Sequence, residues 1–301
     1  MIDRNTKVAF YAMTSKGYFV IEKFIQEFGS DSIEYIVSSS DEKIQLDFYN
    51  DIKKLADLHQ IKFFDRKDDY RNIENEFKGY KFAIAWKWLI KDYNNLIVLH
   101  DSLLPKYRGF APLVQMLLNG EKRIGVTAIM ATERYDEGDI LLQKQIKITY
   151  PICIMDAIRC IEPLYYDIVK ELYKKILKGK KLKGKRQNSQ KATFSMWLDE
   201  KDYFIDFSWS ADKIERFVKA VGFPYDCAKA YVNGSIVKIV DVEKADIDVC
   251  VVNRQRHYGK VIFKEKYPVV VCGKGLLIIK EIRDRKGNNI IDQINFRTRF
   301  E

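Results

Sequence analysis

The chain has 301 residues and a formal net charge of +10, with 47% hydrophobic and 31% charged residues; that length favours two domains and that composition is ordinary for a globular protein. No apolar run reaches the roughly 18 residues a transmembrane helix needs, and the polar start, Met1 to Lys7, does not read as a signal peptide. Ten basic residues against one acid, Glu171, fall between Lys170 and Lys191, so the positive charge is one run and not a face laid out to follow a phosphate backbone, which argues against a nucleic-acid partner. The five cysteines are scattered without a Cys-x-x-Cys pair and read as reduced, mostly buried thiols of a cytoplasmic protein. His59, His100 and His257 lie far apart and offer no metal site.

In chain order, Val8 to Tyr11 reads as a strand and Thr14-Ser15-Lys16-Gly17 as the turn after it. Phe19, Val20, Phe24, Ile25 and Phe28 then recur at helical spacing up to Gly29. Ile33 to Val37 is a second strand, Asp51 to His59 a helix, and Ile61 to Phe64, Phe82 to Ala85 and Ile97 to Leu99 further strands. Strands alternating with helices predict parallel pairing, but no Gly-x-Gly-x-x-Gly follows the first strand, so dinucleotide binding has no direct support. Leu141 to Ile148 is a strand, and Met155 to Leu177 a helix that Pro163 should kink or split. After the Lys- and Gly-rich stretch the texture changes to one helix, Ala211 to Val221, and short strands at Val261–Phe263, Val269–Val271 and Leu276–Ile279. Asn233-Gly234 predicts a type I′ hairpin.

The chemistry concentrates where an apolar strand delivers His100 to a turn-rich loop, with Asp136 thirty-six positions on. A histidine titrates near physiological pH, and a carboxylate beside it orients the ring and favours its charged form. Each residue alone also has a plain structural reading, as a satisfied strand-end histidine and a turn carboxylate.

Three linked motifs decide between these readings. Ser102-Leu103-Leu104-Pro105-Lys106-Tyr107-Arg108-Gly109, Gly125-Val126-Thr127 and Asp136-Glu137-Gly138-Asp139-Ile140 resemble, in order and spacing, the 10-formyltetrahydrofolate-dependent formyltransferases. Tyr203 to Phe207, Ser210-Ala211 and Phe223-Pro224-Tyr225 are similar to the C-terminal domain of the family's two-domain members. The resemblance implies an α/β fold: a Rossmann-like formyltransferase catalytic domain over residues 1–178, a basic linker over 179–191, and a small OB-like β-barrel over 192–301. It implies 10-formyltetrahydrofolate as co-substrate, and His100 and Asp136 as catalytic residues. By segment matching, it implies that Trp86, Lys87, Trp88, Leu89, Leu104, Ala131, Thr132, Glu133 and Tyr135 hold the pterin. Lys16, Gly17, Ser102, Tyr107 and Arg108 are the candidate substrate contacts, Lys16 for a phosphate at a helix start.

One departure matters. The family pattern is Asn-x-His, its amide contacting the formyl oxygen, and here that position is Val98. Asn95 is too early in the strand to substitute, and Lys87 is the candidate donor. Glycinamide ribonucleotide enzymes resemble only the first domain, and the tRNA enzymes carry a basic insertion after the second strand where this chain has Ser38-Ser39-Ser40-Asp41-Glu42-Lys43. Lys106-Tyr107-Arg108-Gly109-Phe110-Ala111-Pro112-Leu113 and Lys16-Gly17-Tyr18 look more like the nucleotide-aminosugar N-formyltransferases, and that resemblance implies work on surface-polysaccharide (lipopolysaccharide) precursors. The alternatives are a methionyl-tRNA formyltransferase and, because of Val98, a non-catalytic folate or nucleotide-sugar binder. The partner expected is a small nucleotide sugar, with no metal and no membrane; a homodimer is left open.

Overall fold

The computed structural model describes residues 6–42 and 44–301; the first five residues of the polar start and Lys43 lie outside them. The chain forms two compact units. One holds the residues up to Leu113, Lys122–Ile148 and Asp156–Met196, and the other holds Val114–Glu121, Thr149–Met155 and Trp197–Glu301. Residues 179–196, expected in part as a linker, belong to the first unit. Backbone pairing with two of that unit's loops holds them there, as described below.

The first unit carries a seven-stranded sheet. In chain order up to residue 196 come β1 (Val8–Ala12), α1 (Thr14–Phe28), β2 (Ile33–Ser38), α2 (Tyr49–Leu58), β3 (Lys62–Asp65), α3 (Arg71–Glu76), β4 (Tyr80–Ile84), β5 (Leu96–His100), the two-residue β6 (Arg108–Gly109), α4 (Pro112–Leu118), which from Val114 on belongs to the second unit, β7 (Arg123–Met130), β8 (Ile140–Lys147), α5 (Ile154–Leu177), whose first two residues also belong to the second unit, and β9 (Phe194–Ser195). The sheet order is β3-β2-β1-β4-β5-β7-β8. The first five strands are parallel, as the alternation predicts, and β7 and β8 are antiparallel. The strand order reverses between β1 and β4, and in such sheets ligands bind beyond the carboxyl ends at that reversal.

Each face of the sheet has its own apolar layer. Phe10 and Phe82 stack on one face, with Phe24 of α1 edge-on to Phe10 and Tyr173 of α5 against Phe24. On the other face Tyr11, Tyr35, Ala83, Ile90 and Leu96 form a buried cluster against which Phe64, Tyr70, Ile73, Phe77, Trp86, Val98 and Ala131 pack. Tyr11 donates to Glu74 at 2.5 Å from full burial; burial pushes its hydroxyl far above the ordinary range, so it remains a donor.

Several expectations shift. Thr14, in the left-handed region at φ 61°, opens α1 directly, so the predicted Thr14–Gly17 turn is the helix's first turn. Pro163 does not split α5, which runs unbroken from Ile154 to Leu177; Ile158, Ile161, Tyr165, Ile168 and Leu172 are buried along one stripe, and that packing outweighs the lost backbone hydrogen bond. Of the cysteines only Cys227 and Cys272 are buried, and Cys250 is exposed.

In the second unit α6 (Ala211–Val221), capped by Ser210, accompanies a five-stranded antiparallel sheet. Its strands are β10 (Ala228–Val232), β11 (Ser235–Lys244), β12 (Val261–Lys264), β13 (Pro268–Val271) and β14 (Leu276–Arg283), in the order β10-β11-β14-β13-β12. Asn233 and Gly234, at φ 51° and 72°, make the hairpin turn the sequence predicts. The chain's last residues join the two sheet edges: Glu301 exchanges backbone bonds with Tyr231, and Val261 donates to the Thr298 carbonyl. This closure makes the unit barrel-like.

Candidate active site

β5 is an apolar strand between β4 and β7, with Leu96, Ile97 and Leu99 buried. Side chains alternate across a strand, so His100 shares the face of Val98, the face of the Tyr11 cluster. His100 is 7% exposed. Its Nε2 donates to the Tyr107 carbonyl at 2.7 Å, and its Nδ1 lies 3.4 Å from Asp136 Oδ1. Both partners are acceptors: the carbonyl takes the Nε2 proton, and the carboxylate faces Nδ1.

The loop after His100 is tied down at each step. Ser102 Oγ donates to the Lys106 carbonyl, Thr127 Oγ1 donates to the Ser102 carbonyl, and the Leu104 amide donates to Thr127 Oγ1. Gln143 donates to both Thr127 Oγ1 and the Leu104 carbonyl. The Gly-Val-Thr motif therefore anchors the Ser-Leu-Leu-Pro loop. Arg108 and Gly109 pair with Phe194 and Ser195. A Cβ on Gly109, at φ 99°, would stand 2.5 Å from the Ser195 carbonyl oxygen, so only glycine fits.

Asp136 lies between antiparallel β7 and β8. That loop leaves at the amino end of β5, where the Ala131 amide donates to the Leu96 carbonyl, and reaches back to His100. Because β7 runs antiparallel to β5, Asp136 comes to His100 by its loop and not from a strand end. Asp136 Oδ2 accepts from the Gly109 amide at 2.8 Å, and the residue sits at φ 55°.

The structure brings some predicted residues together and takes others out of reach. Lys16 is 8% exposed and paired to Asp101 at 2.5 Å, with Tyr165 also donating to Asp101, so its ammonium already has a partner within the protein. Gly17 is buried, and a Cβ there would meet Ala12 Cβ at 2.9 Å, so its role is close packing of α1 on β1. Ser102 and Arg108, at 0% and 3% exposed, spend their polar atoms inside the protein. Leu104, at 3%, offers a pterin ring almost no surface. Tyr107 remains half-buried beside His100, its amide bonded to Thr193 Oγ1.

Of the predicted pterin segments, Trp86 packs edge-on against Tyr11 and Trp88, Arg66 covers Trp88, and Leu89 is largely exposed. Trp86, Val98 and Ala131 pack on one cluster, so both segments border the His100 face. Thr132 and Glu133 line a shallow depression with Ala131, Tyr93 and Arg134, and Tyr135 is exposed with its ring against Phe110. Lys87 is half-exposed and ion-paired with Asp41. Partial burial and the charge of Lys16 push its ammonium below the usual lysine range. Val98 is half-buried packing.

The sequence reading missed Gln187. Its carboxamide Oε1 accepts from Arg108, and its Nε2 donates to the Asp136 and Gly138 carbonyls. The Lys- and Gly-rich composition around it hid any signal. Among the described residues no cluster of His, Cys, Asp or Glu could hold a metal ion.

Residues 82–153 match the formyl transferase domain and residues 198–296 the formyl transferase C-terminal domain. A methionyl-tRNA formyltransferase from Borreliella burgdorferi is 32% identical over 202 residues, 66% of this chain and 62% of that protein. One from Thermotoga neapolitana is 31% identical over 217 residues, 67% of this chain and 66% of that one. The chain thus spans under two thirds of the length of these curated relatives. The sugar 3N-formyltransferase WlaRD, crystallised with dTDP and 5-N-formyl-THF, superposes with a TM-score of 0.67 at 19% identity, over 90% of this chain and 96% of that one. The N-formyltransferase from Helicobacter canadensis, in complex with folinic acid and dTDP-3-aminofucose, does so with a TM-score of 0.69 at 16% identity, over 91% and 98%. At such identities the superpositions speak for the fold.

Proposed function

We propose, for a chain that belongs to the formyltransferase family, that it moves a formyl group from 10-formyltetrahydrofolate to the amine of a nucleotide-linked amino sugar. The observation that carries the reaction is the His100–Asp136 pair, held at 3.4 Å on a strand end, on the face that Trp86 borders. Trp86, Trp88 and Leu89 fit a flat heteroaromatic ring, and the folate, when bound, supplies the formyl carbon.

The amine nitrogen attacks that carbon, and the carbonyl electron pair moves to oxygen. Collapse then breaks the bond to N10. The attacking nitrogen loses one proton and N10 gains one, and the His100–Asp136 pair is the relay we assign to it, with Nε2 exchanging the Tyr107 carbonyl for the reacting nitrogens. Asp136, fixed by the Gly109 amide, orients the imidazole and balances its charge. Lys87 stands in for the absent asparagine as donor to the developing oxyanion, exchanging its contact with Asp41 for that oxygen.

Two observations support a sugar acceptor. Likeness to the two sugar enzymes runs over nine tenths of this chain and nearly all of each of theirs. The basic run is engaged through its backbone and through Gln187, at least from Lys185 on. A tRNA acceptor is the second reading, favoured by the 32% identity to methionyl-tRNA formyltransferases. Incubating the protein with 10-formyltetrahydrofolate and separate pools of nucleotide amino sugars and methionyl-tRNA tests the choice. Formylation in the sugar pool alone is expected; formylation of the tRNA alone would reverse it, and binding without turnover would leave a folate or nucleotide-sugar binder.

A further inference from the structure

We propose that Gln187 is a positioning residue for Asp136, and that residues 184–187, read from the sequence as linker, are part of the site. The proposal rests on the formyl-transfer reading above only for its kinetic consequence. Gln187 is 7% exposed. Its Oε1 accepts from Arg108 Nη2 at 2.9 Å and Nε at 3.2 Å, and its Nε2 donates to the Asp136 carbonyl at 2.7 Å and the Gly138 carbonyl at 2.8 Å. The guanidinium only donates and the carbonyls only accept, so the amide has one orientation and all its hydrogen-bonding capacity is used.

The neighbours of Gln187 hold the same loop. Lys185 exchanges both backbone hydrogen bonds with Ile140 at 2.8 Å, and Gly184 lies so close to Asp139 that a Cβ there would stand 2.5 Å from the Asp139 Cβ. Arg108 Nη1 lies 3.2 Å from Glu137 Oε1. Residues 136–140 are thus tied from one side. These contacts support Asp136 in the left-handed region at φ 55°, which residues with a Cβ adopt uncommonly, aspartate more readily than most. With its carbonyl held by Gln187, the Asp136 carboxylate keeps one oxygen toward His100 and the other on the Gly109 amide.

The test is Gln187→Leu, with the isosteric Gln187→Glu, which still accepts from Arg108 but turns oxygen toward the two carbonyls. Both should lower kcat by about 10–100-fold, the scale of a small misplacement of a catalytic group, with KM for folate and amine within about three-fold. In an Asp136→Asn background Gln187→Leu should cost less than about three-fold more. Near-normal kcat in both folded variants, or losses that multiply fully in the double variant, would overturn the proposal. Should Gln187→Leu fail to fold, Gln187→Glu carries the same expectation. Hydrogen exchange at the Gly109 amide, which donates to Asp136, gives a readout without turnover: it should speed up at least about ten-fold in the variants while the β1 amides of Phe10 and Tyr11 are unchanged. Unchanged Gly109 exchange would sink the proposal even if the wild type transfers formyl. Faster Gly109 exchange in a protein without formyl transfer would uphold the positioning and count against the activity alone.

Discussion

His100 Nδ1 faces Asp136 Oδ1 at 3.4 Å although the two residues come from a strand end and from a loop that starts at the opposite end of that strand. The pair is the centre of the proposed chemistry. His100→Asn and Asp136→Asn should each lower kcat by about 10²–10⁴, the scale of a positioned acid–base group. Thermal unfolding would check that the fold survives; full activity in either folded variant would remove the pair from the mechanism.

Lys87 carries the second prediction. Lys87→Met keeps much of the stem and removes the charge, and it should cost about 10²–10³ in kcat if the ammonium serves the oxyanion. Steady-state turnover close to the wild type would assign Lys87 to its ion pair with Asp41 alone.

Val98 packs with Trp86 and Ala131 on the cluster of Tyr11 and Leu96. Restoring the family asparagine there puts an amide into an apolar layer. Val98→Asn should therefore lower unfolding stability by about 1 kcal/mol, the low end of the cost of an unpartnered polar group because the site is half-buried. Denaturant melts measure this, and an unchanged or raised midpoint would mean that the amide finds a partner at position 98.

The basic run yields the fourth prediction. Lys180, Lys181 and Lys183 are exposed. Replacing all three by Gln should leave turnover on a nucleotide amino sugar within about three-fold, with no new salt dependence. A collapse of activity that deepens at high salt would restore an electrostatic substrate contact.

What the sequence made legible was local. Val8–Tyr11, the α1 stripe of Val20, Phe24 and Ile25, and Asn233-Gly234 each carry their structure in a short window of period or turn chemistry. The short helices α3 and α4 have too few turns to show a period. That β7 runs antiparallel to β5 is a matter of long-range pairing which no local pattern encodes. At the site, residue type and motif order singled out His100 and Asp136, but the internal partners of Arg108, Ser102 and Lys16 were not legible. A charged or polar residue in a motif looks like a ligand contact until its partner is known, and Gln187, Lys106 and Asp101 are those partners. Gln187 itself was invisible because Lys and Gly around it read as a solvated linker.

The most direct measurement is a single-turnover transfer of isotope-labelled formyl from 10-formyltetrahydrofolate to a nucleotide amino sugar, followed by mass spectrometry in the wild type and in Asp136→Asn. The account predicts that the label enters an amide on the sugar nitrogen in the wild type, and does so at least about 10²-fold more slowly in the variant. Label released only as formate, or transferred only to methionyl-tRNA, or transferred to the sugar equally fast by both proteins, would contradict it.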